Sequence, residues 1–219
     1  MLYPDSRIII FCKAPEPGKV KTRLATTIGN EAATTVHEFL AHHCLEGLFK
    51  ENIAPIELWC APDTTHEFFQ YCASAYSVSL QRQWGNDLGE RMENAFAQVL
   101  SNNKSAVIIG TDCPSISPAY LKSAFDCLEK SNAVIGPAED GGYVLLGLRQ
   151  LTSCIFHNMP WGQDQVLEKT IERLGREVIK LNTLWDIDYA KDVERLRETG
   201  TQIELAEDFK AHLSVLKLS

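Results

Sequence analysis

Four cations and four aspartates carry the chemistry this chain could do. Lys13, Lys19, Lys21 and Arg23 lie in the stretch IIIFCKAPEPGKVKTRL, from Ile8 to Leu24. Set against Glu16, they leave a charge of +3 between Lys13 and Arg23, in a chain whose net charge is −8. A basic loop at the end of a first strand is where open α/β sheets take anionic ligands. A helix starting near Thr22 would add its free N–H groups. Gly18-Lys19-Val20 departs from GxxxxGK[ST], and the loop is not GxGxxG. Asp112 follows an apolar run, and Asp140 precedes Gly141-Gly142. Asp186 and Asp188 alternate, so in extended chain both carboxylates face one way. Carboxylates at strand ends can hold Mg²⁺ or Mn²⁺, which prefer oxygen ligands and keep waters and substrate phosphates in their shell. Each feature has a plainer reading: a solvated basic loop, Asp112 capping a turn, Asp188 capping the next helix. Taken together, the basic and acidic sets point to a metal–phosphate site.

The elements that must position these residues follow from periodicity. Ile8 to Phe11 is too short and too β-branched for a helix and reads as a buried strand. Pro15, Pro17 and Gly18 then make a shaped loop. Asn30 is a candidate cap for a helix over 31–50, with Val36, Leu40, Cys44 and Leu48 on its apolar face. His37, His42 and His43 form no i,i+4 pair on it and read as surface or boundary residues. Strands follow at 56–60, 78–83, 106–110, 133–136, 144–148 and 177–181. Helices are expected from Asp63 or Thr64 through Cys72, over 90–100, from Ser117-Pro118 to 130, over 163–174 and over 190–199. The tail from Ile203 carries a further helical pattern. Strands alternating with helices argue for a three-layer α/β/α domain on a mainly parallel sheet. The whole chain, 1–219, reads as one such domain, with 203–219 as a helical appendage.

Composition narrows the class. The length of 219 residues suits a single α/β domain, and 45% hydrophobic with 23% charged residues is ordinary for a globular protein. The acidic balance argues against a nucleic-acid surface. No signal peptide or membrane span is read from the sequence. Seven scattered cysteines without a CxxC read as reduced thiols in the cytoplasm. Cys113 alone lies within the suspected site, as a minor candidate nucleophile.

The motifs FCKAPEPGKVKTRL, GTDCPSI, GPAEDGGYVLLGL and WDIDYAKDV, in this order, resemble a bacterial family of GT-A-type transferases (DUF2064-like). The chain is similar also to 2-phospholactate guanylyltransferases and, more distantly, to molybdenum-cofactor guanylyltransferases. The resemblance spans Arg7 to Leu196. It implies a nucleotide-diphospho-sugar transferase (GT-A, Rossmann-like) fold. It implies nucleotide phosphates wrapped by Lys13, Gly18, Lys21, Thr22 and Arg23, with Lys19 in the same basic cluster. It implies a metal at Asp112, Asp186 and Asp188, and an acceptor or nucleotide beside Asp140, Gly141, Gly142 and Tyr143. Gly85 to Arg91 would line the base or the acceptor. Two departures bear on activity. The loop has prolines where many nucleotidyltransferases have LAAGxGxR, which counts against sugar-1-phosphate pyrophosphorylase chemistry. Asp112 stands in TDCP rather than DxD, which counts against ordinary glycosyl transfer.

The first reading is therefore nucleotidylyl transfer from an NTP to a small phosphorylated acceptor, with Lys21 and Arg23 stabilising phosphate charge. Glycosyl transfer from an NDP-sugar, with Asp140 as base, is the second. A non-catalytic nucleotide-binding module is the third. The base, the acceptor and the oligomeric state stay open.

Overall fold

The computed structural model describes residues 1–199, 205 and 207–218. Seven strands form one sheet in the order β3-β2-β1-β4-β6-β5-β7. They are β1 (Ser6–Lys13), β2 (Ile56–Ala61), β3 (Ser79–Arg82), β4 (Ser105–Gly110), β5 (Ala133–Pro137), β6 (Tyr143–Leu148) and β7 (Val178–Lys180). Only β6 runs against the rest, pairing antiparallel with both β4 and β5. The C-terminal ends of the other six therefore share one edge with the start of β6. Lys13, Gln83, Asp112 and Asp140 all stand at or just beyond that edge.

Alternation along β1 sets the layers. Ile8 and Ile10 face a core built with α2 (Asn30–Glu51), α3 (Glu67–Tyr76) and α5 (Pro118–Leu128). Ile9 faces the opposite core, with Trp59, α4 (Leu88–Leu100) and α6 (Val166–Leu174). Strands buried on both faces need apolar residues at every position, and Ile8, Ile9 and Ile10 are each fully buried. A third cluster joins α1 (Thr22–Ile28) and α2 to α7 (Ala190–Thr199) and α8 (Glu207–Val215), with Phe39 stacked on Phe209 at 4.7 Å. The tail thus packs on its own domain. Positions 200–204, 206 and 219 of the expected 203–219 appendage lie outside the described residues. Among the described residues, no helix is long and apolar enough to cross a membrane.

Several boundaries differ from expectation for local reasons. Gly29, at φ +84°, takes the cap position of α2, and Asn30 is already helical. Asp63 closes a turn onto the Thr65 N–H at 2.8 Å, so the cap of α3 passes to His66, whose Nδ1 accepts the Phe68 N–H at 3.2 Å. Asp87 caps α4 through the Glu90 N–H at 2.8 Å and starts that helix two residues earlier. Residues 163–165 are turn, and α6 begins at Val166.

Gly147 in β6 is required by packing. A Cβ there would lie 2.6 Å from Val134 Cγ1 and 3.0 Å from Leu128 Cδ1. Gly147→Ala is expected to lower stability by about 1–3 kcal/mol through overpacking. Urea unfolding should show a lower midpoint at unchanged m.

Candidate active site

A cavity of about 590 Å³ opens at the C-terminal edge of the sheet. Lys13, Lys21, Asp112, Asp140 and Asp186 stand in its wall, with Arg91, Gly142 and Tyr143 further round. Two of the four sequence-derived cations and three of the four aspartates therefore meet, drawn from segments as much as a hundred residues and more apart.

Lys21 is the joint between them. It holds a left-handed backbone at φ 47° just before α1, and its side chain is only 3% exposed. Its Nζ lies 2.6 Å from Asp112 Oδ1 and donates to the Ile187 carbonyl at 2.5 Å. The ammonium thus ties the phosphate-type loop to the end of β4 and to the segment carrying Asp186. Burial pushes the Asp112 carboxyl up, but Lys21 and then His37 outweigh it and hold it below the usual carboxylate range. Lys21, expected to meet nucleotide phosphate, is thus already paired with a carboxylate. Lys13, exposed at the end of β1 and lining the cavity, has no ion pair within 4 Å among the described residues.

Arg23 and Asp188 leave the cavity wall together. Arg23 Nη1 donates to Asp188 Oδ2 at 2.8 Å, and the guanidinium lies 5.7 Å from the Tyr189 ring centre. Lys19 is exposed and pairs with Glu16. Gly18 turns the loop at φ +79°. Thr22 is the first residue of α1. Gly141, at φ +88°, lies against the backbone of Asp164, where a side chain would collide. Gly85 acts on Arg91 instead of on the cavity, its carbonyl accepting the Arg91 Nε–H at 3.2 Å.

Asp186 is where negative charge accumulates. Burial first, then the charges of Asp140 and Asp188, push its carboxyl up to about 6, and Asp112 adds to the effect. Asp112 and Asp188 have cationic partners; Asp140 and Asp186 have none among the described residues. Asp140 Oδ1 accepts the Gly142 N–H at 2.9 Å. An all-carboxylate set short of positive charge fits Mg²⁺ or Mn²⁺. Among the described residues no three His, Cys, Asp or Glu side chains group closely enough to hold a metal alone.

Some residues of the wall were not singled out in the sequence. His37 was read as surface or boundary, yet it is 5% exposed. Its Nε2 lies 3.0 Å from the Lys13 carbonyl and its Nδ1 3.9 Å from Asp112 Oδ1. Burial is the largest influence on its titration and lowers it, against the opposing pull of Asp112 and then of the Lys13 carbonyl. Its spacing to Ala41, Cys44, Leu45 and Leu48 was the available signal, since these share the buried face of α2. Gln83 and Trp161 also line the cavity, and nothing in their local sequence marked them. Cys113 is buried, and desolvation raises its thiol to about 12, which removes it as a nucleophile.

Two outcomes test this geometry. Asp112→Asn strands the buried Lys21 ammonium and should cost about 3 kcal/mol in chemical denaturation. Lys21→Met combined with Asp112→Asn should recover at least half of that loss, because no unpaired charge remains. The second concerns pH. The folded pKa of Asp186, about 6, lies above its unfolded value, so its contribution is full below pH ~4 and is lost as pH rises through ~6. In EDTA, stability should fall by about 2 kcal/mol across that window, after allowance for solvent reaching the carboxylate. Asp186→Asn should flatten the fall.

The family model described as "Uncharacterized protein conserved in bacteria (DUF2064)" matches residues 44–163, more than half of the chain. No curated protein matches. Among solved structures, a candidate nucleotide-diphospho-sugar transferase from Desulfovibrio desulfuricans G20 is 29% identical. It superposes with a TM-score of 0.84 over 96% of this chain and 97% of that one. The inositol-1-phosphate CTP transferase from T. maritima is 14% identical, with a TM-score of 0.57 over 97% and 96% of the two chains. Glucosyl-3-phosphoglycerate synthase from Mycobacterium tuberculosis, solved with Mn²⁺ and uridine-diphosphate, is 9% identical, with a TM-score of 0.52 over 93% and 81%. The last two bear on the fold alone. The chain belongs to the bacterial DUF2064 family and has the nucleotide-diphospho-sugar transferase fold.

Proposed function

We propose that this chain is a metal-dependent, nucleotide-utilising transferase that moves a nucleotidyl group from an NTP to a small phosphorylated acceptor. The carrying observation is the single cavity that joins Lys13 of the first loop to the carboxylates Asp112, Asp140 and Asp186. An acceptor phosphate oxygen attacks the α-phosphorus. The new O–P bond forms as the bond to the bridging α–β oxygen breaks, and pyrophosphate leaves with the electron pair. Lys13 meets the phosphates, while Lys21 holds the loop in shape through Asp112. Arg91, which has no acidic partner among the described residues, meets the acceptor's anionic group. Asp140 and Asp186, with Asp112 beside them, would hold Mg²⁺ or Mn²⁺, which would offset charge on the phosphates. Positioning and electrostatics suffice for such a displacement, with no covalent enzyme intermediate. All seven cysteines are unpaired, which fits a reducing cytoplasm.

Glycosyl transfer is the second reading. It is favoured by the name of the 29%-identical relative, a candidate nucleotide-diphospho-sugar transferase. Asp140, in the cavity wall, would then take the acceptor hydroxyl proton.

A thermal-shift panel of NTPs, NDPs and NDP-sugars with Mg²⁺, Mn²⁺ or EDTA separates the two. One NTP at about a hundred times its Kd should stabilise the protein by about 2.7 kcal/mol, or roughly 5–10 °C. That gain should vanish in EDTA, in Lys13→Ala and in Asp186→Asn, and pyrophosphate should appear with the right acceptor. A response confined to an NDP-sugar and its NDP selects glycosyl transfer. A response that persists in EDTA and in Asp186→Asn selects a non-catalytic binding module, and a flat panel rejects all three.

A further inference from the structure

Lys13, the cation that the proposed function turns toward phosphate, is the last residue of β1. The sheet no longer holds the chain on both sides there. β4 stays in register with β1 only as far as Phe11 opposite Gly110. Beyond that pair, side chains supply the donors. The Cys12 carbonyl is met at 3.3 Å by Gln83 Nε2, which also donates to the Trp59 carbonyl at 2.7 Å. The Lys13 carbonyl lies 3.0 Å from His37 Nε2, with the Cys12 thiol at 3.3 Å as a weaker second donor.

The helix explains why a histidine reaches this point. Between parallel strands a crossover helix runs back along the sheet, so the start of α2 lies over the C-terminal end of β1. Ala41, Cys44 and Leu45 share one core with Ile8, Ile10 and Cys12. His37 precedes Ala41 by one turn on the same buried face. A carbonyl can only accept, so the imidazole proton sits on Nε2. Nδ1 lies 3.9 Å from Asp112 Oδ1, beyond hydrogen-bond reach. The ring's directed contact therefore runs through Nε2 to the backbone of Lys13.

We infer that His37 is a positioning residue: its Nε2–H holds the Lys13 carbonyl, and so fixes the place from which the Lys13 ammonium meets phosphate. This deepens the proposed nucleotide-dependent function and rests on it. Without that donor the carbonyl loses its stronger partner, and the end of β1 can move toward water. A small displacement there carries the ammonium with it, out of the position that binding needs.

The probe is tripolyphosphate with Mg²⁺, which carries the phosphates of an NTP without a base, titrated by calorimetry. His37→Leu should weaken binding roughly 10-fold, the effect of one hydrogen bond left unmade. His37→Gln, whose Nε2 can donate to the same carbonyl, should stay within about twofold of wild type. In a Lys13→Ala background, His37→Leu should cost nothing further, because the residue it acts through is gone. Leu45→Ala, a core truncation on the same helix face, should lower stability and leave the affinity alone. Independently of any ligand, the imidazole nitrogen NMR spectrum of the wild-type protein, assigned against His37→Gln, should place the His37 proton on Nε2. A bare Nε2 overturns the inference. So do equal losses in His37→Leu and His37→Gln, a matching loss in Leu45→Ala, or the full loss kept in the Lys13→Ala background; each leaves phosphate binding standing. Failure of tripolyphosphate to bind the wild-type protein overturns the phosphate reading and this inference with it.

Discussion

The contact between Lys21 and Asp112 is the constraint on which the rest of the site depends. A lysine 3% exposed would be expensive to keep charged without a partner close by. Asp112 supplies one at 2.6 Å and the Ile187 carbonyl supplies an acceptor. Because these partners come from β4 and from the segment before α7, one ammonium holds three distant pieces of chain in register. The left-handed backbone of Lys21 is strain that this network sustains. The pair is more than a salt link: it sets where the loop can be, and so where Lys13 meets the cavity.

Around that joint the charges are deliberately unequal. Asp112 and Asp188 have their cations, and among the described residues Asp140 and Asp186 have none. Crowding four carboxylates raises the proton affinity of Asp186, the buried member most surrounded by the others. Such a cluster is uncomfortable alone, and a bound cation would relieve it. The geometry of the sheet makes the crowding possible. Six strands end on one edge, and only β6 begins there, so chemistry carried by segments remote in sequence converges by topology.

The fold was largely legible in order of residues. Ile8 to Ile10, the run before Gly110 and Ser117-Pro118 announced β1, β4 and α5, because burial on both faces and a proline at the first helical position leave local marks. Helix starts at Asn30 and Asp63 were displaced because side-chain caps compete with neighbouring turns: Asp63 spent its carboxylate on Thr65, and His66 took over. The boundary of α6 moved for a similar local reason, the turn after Gly162.

Residue type and spacing by themselves determined that a basic loop and a set of aspartates would sit at strand ends, since both follow from apolar runs and the residues that break them. Only the tertiary structure decided which charges pair. It gave Lys21 to Asp112 and Arg23 to Asp188, left Lys13, Asp140 and Asp186 facing the cavity, and buried His37 and Gln83 beside them. The physical reason is that pairing, burial and the spending of an amide's donors depend on distances between segments, and those distances exist only once the sheet has closed its edge.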